Sequence, residues 1–290
     1  MFTKMIKYDI LSLVIQMNKF TFLDEKQILG DNRLEIFNQV NSKAVVTDFA
    51  ILSGAYVSNY HKNDFDRSLI NRTGYYWVND SIDKSAYTID GFGNKSIQRK
   101  SNRAIASRPV ILASNIMNGG KIINNESNIV KIQYGFYPQK ALDTLCQKEL
   151  EKAYKRDFSR FELTKDTYTL DAREWYEVNK DFYPNVISVY KYHGKRYARV
   201  IANSCFSDEY FQLSNKKYYK NYDAVWVEVE PVNWLVDKET GIAISEKLLF
   251  GGIPFDYSKF FMNEYFAKEL TQQMTDSYTK TTSYIKKLKK

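Results

Sequence analysis

A chain of 290 residues, 44% apolar and 26% charged, is long enough to bury a sizeable core and excludes both wholesale disorder and a bundle of membrane spans. Twelve glycines and five prolines are too few for a collagen-like or low-complexity chain, and two cysteines with two histidines exclude a zinc ribbon, an iron–sulfur cluster or a disulfide scaffold. The formal charge of +8 falls to +3 once the five lysines of the tail (Lys280, Lys286, Lys287, Lys289, Lys290) are set aside, while aromatic residues reach 16% of the chain.

At the N-terminus, Lys4 and Lys7 precede a short apolar run at 10–15, but Asp9 interrupts it and no small-residue cleavage site follows, which argues against a secretion signal. No stretch approaches the roughly 18 to 20 apolar residues that span a bilayer, so a soluble, cytoplasmic chain with Cys146 and Cys205 as free thiols is expected. Residues 29–40 carry Leu34, Ile36, Phe37 and Val40 after Gly30-Asp31-Asn32, which predicts a short amphipathic helix capped by Asp31 or Asn32. The β-branched run 44–52 predicts a buried strand or core segment. Strands are expected at 75–78, ended by Asn79-Asp80-Ser81, and at 86–89, which leads into the turn pair Asp90-Gly91. A closing strand at 108–112 has Pro109 at its entrance, where a missing N–H does little harm.

Residues 115–128, with Asn118-Gly119-Gly120 and Asn124-Asn125, have the most linker-like composition, which places a domain boundary there: 1–123, 124–279 and a basic tail 280–290 that reads as a solvated terminus. The second region opens with a strand at 129–139 and a helix at 140–157, whose Leu142, Leu145, Leu150, Ala153 and Tyr154 fall near a 3.6-residue spacing. Strands follow at 186–192, at 195–201 after the His193-Gly194 turn, and at 224–230, 232–237 and 241–244; an apolar helix at 260–274 closes the region. Short antiparallel strands with peripheral helices give an α+β fold class.

Tyr134-Gly135-Phe136-Tyr137-Pro138-Gln139, the stretch from Val229 through Trp234 to Val236, and the stretch from Ile242 through Ser245 to Phe250 together resemble the opening half of a bacterial module of unknown function. Gly74-Tyr75-Tyr76-Trp77, Ala86-Tyr87-Thr88-Ile89-Asp90-Gly91 and Ala106-Ser107-Arg108-Pro109-Val110 resemble its closing half, here placed first, as two incomplete copies or a permuted arrangement. That module is similar to C-type-lectin-like and formylglycine-generating-enzyme-like folds. The resemblance implies a compact α+β module with long display loops, and puts Arg108 at a recurring structural Arg-Pro position.

Calcium would need six to eight converging oxygens. Trp77-Val78-Asn79-Asp80 and Glu230-Pro231-Val232-Asn233 each depart by one residue from the lectin signatures, so no metal and no cofactor is expected. Neither thiol has a neighbouring base in sequence, with Cys146 reading as helix packing. His61 and His193 stand without a G-x-S-x-G elbow, and no P-loop or G-x-G-x-x-G occurs. What remains is recognition, since tyrosine gives contact area at low rotamer cost and small polar residues adapt. The stretches 79–85 and 94–107 are expected to display the surface, with Tyr75, Tyr76, Asn79, Asp80, Arg99, Lys100 and Arg103 as partner-binding residues. The leading expectation is a non-enzymatic binding protein for a protein or glycan partner. The alternatives are an intracellular, mobile-element-type inhibitor or accessory factor acting on a nucleic-acid-processing complex, supported by Arg99, Lys100, Arg103 and Arg108, and an enzyme of unknown reaction.

Overall fold

The computed structural model describes residues 19–37, 42–57, 72–126, 128–163, 187–206, 210–268 and 270. Two short helices, α1 (Glu25–Ile28) and α2 (Asp48–Leu52), precede a three-stranded antiparallel sheet of β1 (Tyr76–Ile82), β2 (Ser85–Ile89) and β3 (Lys95–Arg99). There follow β4 (Val110–Leu112), α3 (Ser114–Met117), β5 (Lys121–Glu126), β6 (Ile129–Ala141), α4 (Thr144–Arg156), β7 (Glu162–Leu163), β8 (Ile187–Tyr192) and β9 (Lys195–Ile201). The hairpin of β10 (Phe211–Gln212) and β11 (Tyr218–Tyr219) leads to β12 (Ala224–Asp237), β13 (Ile242–Ser245) and α5 (Phe255–Phe261), which runs into a π-helical turn, Met262–Phe266. The fold class is α+β with mostly antiparallel sheets, as the sequence pattern predicts.

The main sheet is organised on β12. One edge pairs with β6 over nearly its whole length, while the other is shared by β9 at residues 224–228 and β13 at 234–236. β6 carries the irregularities of this pairing. Its register against β12 slips twice, leaving Tyr134 and Gly135 opposite a single β12 residue and leaving Gln139 unpaired in the ladder. Gly135 sits at φ +70°, the left-handed conformation that a bulge of this kind assigns to glycine. At the second slip, Gln139 turns its side-chain amide onto the carbonyls of Glu230 (3.2 Å) and Pro231 (2.9 Å). The five residues Gly135 to Gln139 therefore encode bulge, core and bulge, with Tyr137 buried between them against Phe49, Phe250 and Phe266.

Val225, Val227 and Val229 face one core, as alternation predicts, yet Trp226 on the opposite face is fully buried because α4 covers it. Under α4, Leu150, Phe161, Tyr190 and Trp226 form a second, smaller cluster. The larger core draws side chains from both sides of position 123, which lies inside β5, and β4 pairs with β13.

Several sequence expectations change. Residues 29–37 form turns rather than a helix: Leu34 N–H donates to the Gln27 carbonyl at 2.9 Å and Glu35 N–H to the Asp237 carboxylate at 3.0 Å, so Leu34, Ile36 and Phe37 reach the core without helical spacing. The run 44–52 is buried except for the exposed Val45, and only Val45 and Val46 form bridges. Thr47 accepts the Ala50 N–H at 3.1 Å and starts α2. β1 continues through Asn79, Asp80 and Ser81, β3 fills much of the expected loop 94–107, and α3 and β5 occupy the expected linker. The two strands expected at 224–237 are one, because a proline at a register shift need not donate to the ladder. The closing helix begins earlier, at Phe255, and its expected end at 271–274 lies outside the described residues, as do the N-terminal run, His61 and the basic tail.

A candidate polyanion-binding groove

Helix α4 begins where Asp143 accepts the Cys146 N–H at 2.9 Å and ends with Lys155 and Arg156, whose charges suit the negative end of the helix dipole. Gln147, Leu150 and Tyr154 face the sheet. Gln147 holds β12 as a strand partner would, accepting the Trp226 N–H at 2.8 Å and donating to the Trp226 carbonyl at 2.6 Å. The outward face carries Lys148, Lys152, Lys155 and Arg156, four cations at i, i+4, i+7 and i+8, together with the exposed Glu149. With Lys217 and Ala224 on the far side, they line an open groove of about 570 Å³. Lys155 lies 3.4 Å from Glu151; among the described residues, Lys148, Lys152 and Arg156 have no ion-pair partner.

Glu151, the groove's acidic residue, is already engaged. Its carboxylate accepts two bonds from Arg199 (2.9 and 3.1 Å) and one from the Trp226 indole (2.8 Å). Burial alone would raise its pKa, but these bonds and the Arg199 charge outweigh burial and hold the carboxyl below its ordinary value. The folded pKa therefore lies below an unfolded value of about 4.3, so the pair contributes stability above that pH and loses it as pH falls through the folded pKa. Urea unfolding should show Glu151→Gln to be destabilising near pH 7, with a smaller deficit near pH 3. An equal deficit at both values would assign the effect to packing.

The far wall is the segment 213–224. Its tight turn is closed by Lys216 N–H to the Leu213 carbonyl (2.9 Å) and Leu213 N–H to the Lys217 carbonyl (3.2 Å), and Lys217 rests 4.8 Å from the Tyr219 ring centroid. Asn215 ties the two walls together, donating to the Leu142 carbonyl just before α4 (2.6 Å) and to the Tyr219 hydroxyl (2.8 Å). Beneath it, the buried Asp48 carboxylate accepts from Ser214 N–H (2.9 Å), Ser214 Oγ, Ala141 N–H (2.8 Å) and Arg72 (2.5 Å). One buried acid thus fixes α2, the end of β6 and the groove's far wall relative to one another.

The residues expected to bind a partner lie elsewhere, around the three-stranded sheet. Tyr76 is a correction, since it is buried and its hydroxyl donates to the Ser42 carbonyl at 2.7 Å, leaving no ring to display. Asn79 and Asp80 hold the start of α1 from a distance: Asp80 accepts the Glu25 N–H at 2.6 Å, and Asn79 donates to Asp24 at 2.8 Å and accepts from Lys259. Tyr75 is half-buried, 6.2 Å from Tyr56. The Lys100 amine lies 3.9 Å from Asp256 and 5.8 Å from the Phe255 ring. Arg99 and Arg103 are exposed at the turn that follows β3, where Arg103 also accepts the Gly252 N–H through its carbonyl. Arg108 is structural, as the motif implies: buried, it donates to the Ser245 carbonyl at 3.0 Å and packs on Phe37 and Tyr76.

Both thiols are held towards the protonated form. A hydrogen bond to Asp143 raises the Cys146 pKa, and crowding by surrounding protein raises that of Cys205 although the residue keeps an exposed edge. His193 is exposed at the tip of the β8–β9 hairpin, where both His193 (φ +49°) and Gly194 (φ +79°) adopt the left-handed geometry of a two-residue turn. Among the described residues no group of acids, histidines and cysteines could hold a metal ion, and no helix is long and apolar enough to cross a membrane. Comparison of the chain with protein-family models, curated proteins and solved structures returned no match.

Proposed function

We propose that this chain is a non-catalytic binding protein and that its partner is a polyanion seated between α4 and the 213–224 segment. The supporting observation is the asymmetry of the groove: five cations line it, and its one carboxylate is already held by Arg199 and Trp226. An unbalanced positive concavity concentrates an anionic chain and exchanges its counterions for fixed charges. The lectin-like arrangement inferred from the motifs belongs to the same proposal, with short antiparallel sheets holding a polar, tyrosine-bearing rim.

The triple variant Lys148→Glu/Lys152→Glu/Arg156→Glu tests this by fluorescence anisotropy against labelled polyanions. Its affinity should fall at least about ten-fold at low salt, with a shallower dependence on salt concentration. Arg99→Glu should leave binding unchanged. The reverse pattern would move the docking surface to the turn after β3 and overturn the assignment of the groove.

A further inference from the structure

Resting on that reading, we infer that the polyanion is single-stranded nucleic acid, with its phosphates along α4 and a base stacked on Tyr222. The groove has four cations along α4 and Lys217 on the far side, an arrangement that admits a single extended strand. Along α4, Lys148, Lys152 and Arg156 rise in steps of about 6 Å, a repeat that an extended phosphate backbone can follow. Ammonium and guanidinium groups bind phosphate and carboxylate alike, so the choice of nucleic acid over an acidic peptide rests on the aromatic residue beside the cations.

The segment that supplies two lining positions, Lys217 and Ala224, interleaves cations with aromatic residues: Lys216, Lys217, Tyr218, Lys220 and Tyr222 fall within seven residues, and Tyr222 is two residues from Ala224. Tyr222 is 86% exposed and holds φ +73°, a left-handed conformation that an aromatic residue rarely adopts. The turn is firmly built. Tyr222 N–H donates to the Ala202 carbonyl (2.9 Å), Lys220 N–H to the Asp223 carboxylate (2.9 Å), and Asn221 exchanges two bonds with the Ser204 backbone (2.7 and 3.1 Å). Lys216, at φ +61°, repeats the strain in the same segment. Backbone outliers of this kind cluster at ligand clamps, and an exposed ring held at such an outlier, two residues from the groove, supports a stacking role for Tyr222. Bases supply that ligand, since every base has a face to stack and the interaction tolerates any sequence.

Anisotropy titrations with a labelled 12-nucleotide oligo(dT), the matching duplex and polyglutamate of similar charge test the inference at about 50 and 200 mM salt. Wild type should bind the single strand more tightly than either competitor. Tyr222→Ala should lose about 5- to 100-fold for the oligonucleotide and nothing for polyglutamate, while Tyr222→Phe keeps the affinity. Thermal melts should show both variants folded, because the ring is solvent-exposed. If Tyr222→Ala binds oligo(dT) as wild type does, or if the duplex or polyglutamate binds more tightly, the inference fails. The groove reading then survives only if the charge-reversed α4 still loses the winning probe. If none of the probes binds at low salt, both fall together.

Discussion

Replacing Asp48 with asparagine should destabilise the protein by about 3–5 kcal/mol, the range seen when one member of a buried ion pair is removed. Four donors converge on this carboxylate, which has the capacity to accept all of them; asparagine would bring an N–H₂ group into a place built for acceptors. It would also leave the buried Arg72 guanidinium without its counter-charge, and among the described residues Arg72 Nη2 has no hydrogen-bond partner. Urea unfolding measures the loss. Hydrogen exchange should locate it, with amides of α2 and of the β10–β11 hairpin losing protection together, because Ser214 hangs on Asp48. The double variant Asp48→Leu/Arg72→Met removes both charges and should recover a substantial part of the deficit. A loss of less than about 1 kcal/mol for Asp48→Asn would mean that water reaches this carboxylate and that the far wall of the groove is held by other contacts.

The parts of the fold legible in sequence are those whose local chemistry leaves one solution. Alternating valines place β12, His193-Gly194 marks a hairpin turn, and a 3.6-residue pattern marks α4, whose start at Thr144 rather than at 140 is set by Asp143; Asp90-Gly91 marks the β2–β3 connection, but that loop runs over 90–94 and the positive φ falls on Gly93 (+87°) rather than Gly91. β3 and β5 were not legible, because Lys95, Ile97 and Arg99 are exposed and Asn124 and Asn125 resemble a turn; each is a strand only because of its ladder to a neighbour. The structural roles of some expected binding residues were hidden for a related reason. A sequence does not distinguish an asparagine and aspartate that present themselves to a ligand from a pair, Asn79 and Asp80, that hold the start of a distant helix. The groove was half visible: Lys148, Lys152 and Arg156 follow the helical repeat, and a reading by helix face would have found them where a search for dense basic runs found 99–108. Lys217 carried no such signal, since its place opposite α4 depends on Asp48, Ser214 and Asn215 meeting across the fold.

Gly135→Ala should cost about 2–4 kcal/mol, combining a left-handed backbone with overpacking. A Cβ added at Gly135 would lie 2.2 Å from Leu270 Cγ, 2.5 Å from its Cδ1 and 2.8 Å from its carbonyl oxygen, and Leu270 is fully buried with no room to withdraw. The two contributions separate experimentally. In a Leu270→Ala background the side-chain clash disappears while φ +70° stays, so the penalty of Gly135→Ala should shrink by about 1–2 kcal/mol in a double-mutant cycle of urea unfolding. An unchanged penalty would locate the whole cost in the backbone. In either case the consequence reaches beyond one residue. The bulge at Gly135 is one of two bends that fit β6 to a β12 whose opposite edge divides between β9 and β13. Its neighbour Tyr134 accepts the Trp234 indole N–H at 3.0 Å, so straightening the bulge also strands a buried donor. On this account glycine and glutamine in the Gly135–Gln139 motif serve the fit of β6 to β12, the strand that also supplies Ala224 to the groove.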